Sequence, residues 1–79
     1  MKIQGVLGPL DSAELGQTLI HEHICCADWS MRANFGPRFF EHDALIEMAK
    51  RCFAPLRLHG VRTIVDGTPI NLGRDLPLI

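Results

Sequence analysis

Two histidines that stand two residues apart are the residues of this sequence best suited to chemistry. His21 and His23 lie in residues 18–24, which are rich in β-branched and apolar side chains and too short for a typical helix, so a strand is predicted. Side chains two apart on a strand leave the same face, so both imidazoles point one way and Glu22 points the other. Neutral imidazole is the commonest protein ligand for zinc-type ions. The pair could therefore supply half of a four-coordinate metal shell.

The spacing alone leaves a second interpretation open, in which the histidines are exposed or hydrogen-bonded and hold no metal. The helical zinc motif HExxH, which needs histidines four apart, is absent. Glu22 is expected to pair with a basic group in a helix layer. Cys25 would join the histidines as a third ligand only if the strand continued that far. Free cysteine is among the most buried residue types, so packing roles are expected for Cys25, Cys26 and Cys52.

Other polar and aromatic residues each have a structural and a functional interpretation. Asp66 precedes a glycine and is expected to be a turn residue, with a carboxylate that supports a metal ligand as the alternative. Asp75 is expected to cap a helix, and Arg74 to be exposed. His42 and His59 flank a predicted helix and are expected to lie on the surface. A group of aromatic residues could line an apolar pocket or plug the rim of the fold. They are Trp29, Phe35, Phe39 and Phe40.

The elements around these residues follow from periodicity and from turn residues. Residues 1–7 are predicted to form a short strand that Gly8-Pro9 ends, and residues 11–14 a turn or a single helical turn. Residues 27–40 have a mixed composition and are predicted to form a long loop. Residues 61–65 form a β-branched run that predicts a second strand. Residues 73–79 indicate the start of another helix.

The clearest periodic signal predicts a helix between these two strands. Asp43 can serve as its N-cap and Gly60 as the residue that ends it. Pro55 lies inside the pattern, where it lacks an N–H and clashes with an earlier carbonyl, so a kink or an early end of the helix is expected there. The apolar side chains repeat every three or four residues, which is typical of an amphipathic helix packed on a sheet. They are Leu45, Met48, Ala49, Cys52, Phe53 and Leu56.

A strand, a crossover helix and a second strand make one βαβ unit with parallel strands and a right-handed crossover. Parallel strands are nearly always buried on both faces, but one helix with the start of another covers only one face. The sequence is therefore predicted to be the N-terminal piece of a larger α/β domain.

Composition excludes several classes of partner. The chain has 79 residues, eight Lys and Arg against nine Asp and Glu, and a net charge of −1. With a pI of about 6.4 and no basic cluster, neither a nucleic acid nor a membrane partner is expected. Three cysteines, two of them adjacent, give no disulfide framework. No apolar stretch of membrane-helix length or signal-peptide character is present, so a cytoplasmic location is expected.

The stretch around the histidines resembles a known family signature. Gly16-Gln17-Thr18-Leu19-Ile20-His21-Glu22-His23-Ile24 is similar to the N-terminal motif of the phosphotriesterase family in the amidohydrolase superfamily. The similarity continues on both sides of the motif. It includes Val6-Leu7-Gly8-Pro9-Leu10, Gly60-Val61-Arg62-Thr63-Ile64-Val65-Asp66 and Leu72-Gly73-Arg74-Asp75. Because these segments follow the family's order, the resemblance favours the metal interpretation.

This resemblance implies an α/β fold, the N-terminal part of a (β/α)8 TIM barrel, with residues 1–79 as a fragment of one metal-dependent hydrolase domain. It implies that His21 and His23 hold one ion of a binuclear centre of divalent metal, with zinc expected. The family's bridging lysine carbamate, two later histidines and a last aspartate have no position here. The resemblance therefore places no catalytic residue in this chain. The implied reaction is ester hydrolysis by a metal-activated hydroxide.

Two hypotheses of different class follow. The first is a metal-dependent hydrolase of the phosphotriesterase or lactonase type, which acts on a small-molecule ester, lactone or phosphotriester and could form a homodimer when complete. The second is a non-catalytic truncated remnant or binding module that retains the motif. The substrate cannot be named from this segment because specificity in such barrels is set by loops after later strands.

Overall fold

The computed structural model describes residues 1–79 and contains four strands and two α-helices. The strands are β1 (Lys2–Gly5), β2 (Gly8–Asp11), β3 (Gln17–Glu22) and β4 (Val61–Asp66). The helices are α1 (Trp29–Phe35) and α2 (His42–Leu58), and single 3₁₀ turns occupy Ser12–Glu14, Gly36–Arg38 and Ile70–Leu72. No helix is long and apolar enough to cross a lipid bilayer.

The chain starts with a tight hairpin. β1 and β2 are antiparallel, with Gly5 opposite Gly8 and a two-residue turn between them. Gly8-Pro9 therefore begins a strand, and the prediction that it ends the structure of residues 1–7 is wrong. Pro9 is accommodated because β2 pairs only with β1, so its missing N–H interrupts no second ladder. The predicted helical turn after the hairpin is confirmed as Ser12–Glu14, closed by reciprocal caps between Asp11 and Glu14.

The predicted βαβ unit is confirmed. β3 and β4 pair in parallel, with Leu19 opposite Ile64 and Glu22 opposite Asp66. Between these two pairs the chain advances by three residues on β3 but by only two on β4. β3 therefore contains a bulge immediately before its end. α2 connects the strands and packs against β4. The carboxyl ends of both strands therefore lie side by side, with His21 at the end of one of them.

α2 extends over nearly the predicted range. It begins at His42, where Glu41 holds the N-cap position without a side-chain hydrogen bond, so Asp43 lies in the first turn and is not the predicted cap. The helix continues through Pro55 to Leu58, as the pattern predicts. Pro55 lies in the last turn of the helix, where its missing N–H removes one backbone hydrogen bond while its own carbonyl still accepts from the N–H of His59.

The buried face of α2 differs from the predicted stripe. Leu45, Ala49, Phe53 and Leu56 are partly buried, as expected. Met48 is 53% exposed and Cys52 is also exposed, whereas Ile46 is partly buried in their place. Apolar residues cover a wide arc of this helix, so their spacing alone does not decide which part of the arc faces β4.

Residues 27–40 are not a long loop. Asp28 caps α1 by accepting from the N–H of Met31 at 2.9 Å and from the hydroxyl of Ser30 at 2.6 Å. The helix ends at Phe35, where Gly36 and Pro37 begin a separate 3₁₀ turn. The loop prediction is wrong because this aspartate and serine are a capping signal that is stronger than the mixed composition behind them.

The sequence predicts a helix start over residues 73–79, but the structure has only a hydrogen-bonded turn there and no assigned helix. The backbone N–H groups of Leu78 and Ile79 donate to the carbonyl of Asp75 at 3.0 and 3.3 Å. The preceding segment turns at Gly73, whose φ of 89° lies in the left-handed region. A side chain at Gly73 would place its Cβ 2.8 Å from the carbonyl oxygen of Ala27, so the segments that follow β3 and β4 are in direct backbone contact there.

The most buried residues lie near the carboxyl ends of the central strands. Five of the 79 residues are buried, and four of them follow β3 or β4. These four are Cys25, Thr68, Gly73 and Asp75, and the fifth is Val61. The interface between α2 and the sheet is only partly buried by comparison. The most buried part of the chain therefore lies just beyond the carboxyl ends of β3 and β4, where the two histidines also lie.

Candidate metal site

The structure brings His21 and His23 together at the end of β3. His21 is the last residue but one of the strand, and His23 directly follows it. Their ring centroids are 5.2 Å apart, with the planes inclined by 74°. Both residues are exposed. The predicted pair of adjacent, accessible imidazoles is therefore present at a strand end, although the bulge in β3 replaces the regular alternation on which the prediction relied.

Thr68 holds one of the two rings. Its Oγ1 lies 2.9 Å from Nδ1 of His23, and its side chain is the most buried in the chain, at 1% exposure. This contact occupies one ring nitrogen and leaves Nε2 for another partner. Sequence reasoning missed Thr68 because nothing in its local pattern marks it. Its role depends on the pairing of β3 with β4.

Gly67 adjoins the other ring. An added Cβ at Gly67 would lie 3.5 Å from Cδ2 and Nε2 of His21. The backbone N–H of Gly67 donates to the carbonyl of Glu22 at 2.9 Å, which extends the parallel pairing beyond β4. The absence of a side chain at this position therefore leaves room beside the imidazole of His21.

Asp66 connects the two strand ends. It accepts from the backbone N–H of Thr68 at 2.7 Å and from that of Ile24 at 3.2 Å. Burial raises the pKa of Asp66, but the hydrogen bonds from Thr68 and Ile24 and the nearby His23 outweigh burial, so the pKa lies below its usual value. Asp66 is thus the expected turn residue, and its carboxylate also holds the segments that contain Thr68 and His23.

The donor chemistry fits part of a metal shell. Two imidazoles with accessible ring nitrogens suit a zinc-type ion, but no group of three or more His, Cys, Asp or Glu residues in this chain could hold one. Cys25 is not a third ligand, because β3 ends at Glu22 and the cysteine is buried. Burial and the neighbouring Cys26 raise the pKa of the Cys25 thiol, which disfavours the thiolate that a metal requires.

Two smaller expectations near the site are wrong. Glu22 makes no ion pair with a basic group, because none of the chain's salt bridges includes it. Cys25 is buried as expected of a packing residue, but Cys26 and Cys52 are exposed. Cys26 lies in the segment after β3, and Cys52 lies on the exposed side of α2, so no apolar side chains cover either of them.

A buried ion pair lies beside the site. Nη2 of Arg32 is 2.5 Å from Oδ2 of Asp75, and Nε2 of His42 is 3.5 Å from the same oxygen. The Asp75 side chain is 6% exposed, and that of Arg32 is 26% exposed. Asp75 is therefore an ion-pair partner and not the predicted helix cap, and His42 is partly buried against it. Asp75 joins α1, the start of α2 and the end of the chain.

The aromatic residues form no single pocket. Trp29, Phe35 and Phe39 are 52%, 54% and 42% exposed. The guanidinium of Arg32 lies 4.6 Å from the centroid of Phe40 and 5.9 Å from that of Trp29. These two rings therefore pack against the ion pair, where cation–π attraction adds to their apolar contact. Arg74 is exposed as expected, and its Nε donates to the carbonyl of Thr68 at 2.6 Å.

Comparison with known proteins defines the class. The structure superposes on the phosphotriesterase from Mycobacterium tuberculosis with a TM-score of 0.86 and 35% sequence identity, over 99% of this chain and 24% of that one. Its fold is the N-terminal part of a (β/α)8 barrel, in which β3, α2 and β4 form the first βαβ unit.

The family model named Phosphotriesterase family matches residues 1–79, and the chain belongs to that family. The chain is 39% identical to a phosphotriesterase homology protein of M. tuberculosis over 72 residues, an alignment that covers 91% of this chain and 22% of that protein. It is 34% identical to an aryldialkylphosphatase of Saccharolobus solfataricus over 67 residues, an alignment that covers 85% of this chain and 21% of that protein. The chain thus spans less than a third of the length of these relatives.

Proposed function

We propose that residues 1–79 are the N-terminal part of a single barrel domain, a metal-dependent hydrolase in which His21 and His23 hold a divalent ion, best zinc. The observation that carries this proposal is the pair of exposed imidazoles, with ring centroids 5.2 Å apart at the end of a parallel strand, in a chain that belongs to the phosphotriesterase family. Two ligands on one strand end, with further ligands from later strands, are consistent with the active-site position of such barrels.

The residues of this chain prepare one part of that centre. Thr68 restrains the His23 ring, Gly67 leaves room beside His21, and Asp66 fixes the segment that holds Thr68. A bound divalent ion would supply Lewis-acid catalysis and lower the pKa of a bound water. The resemblance to the family assigns the carbamylated lysine, the later histidines and the proton-transferring aspartate to parts of the barrel that follow Ile79.

The proposed substrates are small-molecule esters, with phosphotriesters and lactones as the two classes to assay. The relative named aryldialkylphosphatase supports the phosphotriester class. Two imidazoles also suit ions other than zinc, so zinc is the first metal to test and manganese and cobalt the next.

The test uses the full-length protein that contains this segment. Replacement of both histidines, His21→Ala with His23→Ala, should remove one equivalent of metal and most of the hydrolysis of a paraoxon-like phosphotriester or a lactone. His59→Ala is the matched control, because His59 is exposed and precedes the amino end of β4, at the opposite end of the strand from the histidine pair. Metal content is measured by mass spectrometry after gel filtration. An unchanged metal content in the double variant would refute the assignment.

A second candidate is a non-catalytic remnant or binding module. One observation favours it, since the chain itself brings together two metal donors and not three. The coding sequence downstream of the Ile79 codon distinguishes the two candidates. A continuing frame with further strand-end histidines and a lysine supports the hydrolase, and an immediate stop codon supports the module.

A further inference from the structure

Thr68 is a buried polar residue whose hydroxyl contacts His23. The residue is 1% exposed, its Oγ1 lies 2.9 Å from Nδ1 of His23, and its side chain also hydrogen-bonds to the carboxylate of Asp66. If the His23 ring rotated away, this buried hydroxyl would lose a hydrogen bond that water could not replace. The free-energy cost of that loss holds the hydroxyl and the ring in contact. The two nitrogens of a histidine ring are linked, because the hydrogen bond made by one decides which of them carries the proton.

The backbone of Thr68 is fixed on both sides. Its N–H donates to Oδ1 of Asp66 at 2.7 Å, and its carbonyl accepts from Nε of Arg74 at 2.6 Å. Oδ2 of Asp66 in turn accepts from the N–H of Ile24, the residue after His23. The hydroxyl and the imidazole are thus held by a common frame and not by a flexible surface contact.

We propose that Thr68 is a positioning residue for His23. Its hydroxyl accepts a hydrogen bond from Nδ1–H, which keeps the proton on Nδ1 and presents the lone pair of Nε2 at the strand end. This inference rests on the proposed function, in which Nε2 binds the metal. Outer partners of metal-bound histidines fix the ring and its tautomer, and their loss typically lowers metal affinity by about 10–100-fold.

The first test measures the tautomer of His23 in metal-free full-length protein. The protein is labelled with ¹⁵N-histidine, and His23 is assigned from the signal that disappears in His23→Gln. Two-bond ¹H–¹⁵N correlation spectra above the titration range should show the proton on Nδ1 in the wild type. A wild-type spectrum with the proton on Nε2 would overturn the inference without any variant of Thr68.

The second test compares threonine variants. Thr68→Val should release the tautomer restraint and weaken zinc binding by about 10–100-fold in a chelator competition. Thr68→Ser keeps the hydroxyl and should restore both properties. Thr63→Val is the matched control, because the hydroxyl of Thr63 donates to the carbonyl of Leu15 at 2.6 Å and is partly buried on β4, away from the histidines.

The outcomes separate this inference from the proposed function. Weaker zinc binding with an unchanged tautomer in Thr68→Val would mean a general structural role and would overturn the positioning role. Wild-type zinc affinity in Thr68→Val would overturn it as well. A wild type that has the Nδ1 proton but binds no zinc would refute the metal site while leaving the contact between Thr68 and His23 intact.

Discussion

Removal of the buried carboxylate of Asp75 should strongly destabilise the protein. Asp75 is 6% exposed, and its main partner Arg32 is 26% exposed, so Asp75→Ala leaves a largely desolvated guanidinium without its anion. Breaking a buried pair by removing one partner costs about 3–5 kcal/mol. The Arg32 side chain is about a quarter exposed to water, and its guanidinium stays 4.6 Å from the centroid of Phe40 in the variant. Both contacts reduce the penalty for the unpaired charge, so the expected cost is at the lower end, about 3 kcal/mol.

The assay is urea unfolding of metal-free full-length protein, followed by tryptophan fluorescence and by circular dichroism. A cost of about 3 kcal/mol corresponds to a change of about 140-fold in the folding equilibrium constant. Glu47→Ala is the control, because the pair of Glu47 with Lys50 has side chains that are 61% and 67% exposed and should be worth less than about 0.5 kcal/mol.

A double-mutant cycle with Arg32→Ala isolates the pair itself. The double variant should be less destabilised than the sum of the two single variants, since each partner is costly mainly when it is left alone. The reasoning would be refuted if Asp75→Ala cost no more than Glu47→Ala, or if the two single effects were additive.

Three further outcomes are expected. Leu56→Ala should destabilise the full-length protein by about 2 kcal/mol, near the lower end for such truncations, because Leu56 is only partly buried. Met48 is exposed, so Met48→Ala should cost less than about 0.5 kcal/mol. Equal costs in urea unfolding would contradict the observed orientation of α2. Burial raises the pKa of the Cys25 thiol, so iodoacetamide at mildly alkaline pH should label Cys25 much more slowly than the exposed Cys26. Peptide mass spectrometry measures the two labelling rates, and faster labelling of Cys25 would disprove this expectation. Residues 1–79 made alone should hydrolyse neither phosphotriesters nor lactones, bind no zinc tightly and show no cooperative thermal melt, because the chain groups only two metal donors and buries only five residues. Stoichiometric zinc together with a sharp transition would show that self-assembly completes the site.

Local sequence signals predicted the strands and the helix that are determined by residues close together in the chain. The β-branched run of β4, the periodic apolar residues of α2 and the parallel order of β3 and β4 all follow from spacing and from chain connectivity. α1 was also predictable in principle, since Asp28 and Ser30 are capping residues, but the mixed composition of residues 27–40 favoured a loop interpretation.

The parts that sequence reasoning missed depend on contacts between distant segments. Thr68 meets His23 across 45 positions, and Asp75 meets Arg32 across 43. Asp75 precedes Pro77 in a pattern that is typical of a helix start, so its local sequence indicates a helix cap. Only the packing of α1 shows that the carboxylate pairs with Arg32 instead. The histidine pair could be predicted because both of its members lie on one strand.

The close approach at Gly73 couples the two segments that follow β3 and β4. The backbone of Gly73 lies against that of Ala27, and an added Cβ would stand 2.8 Å from the Ala27 carbonyl oxygen. The segments after β3 and β4 therefore share one surface of contact and act as a matched pair. A residue with a side chain at position 73 would collide with Ala27 unless the segment after β3 moved as well. Directed evolution that treats the two loops as one cassette should therefore yield more folded variants than libraries that diversify either loop alone.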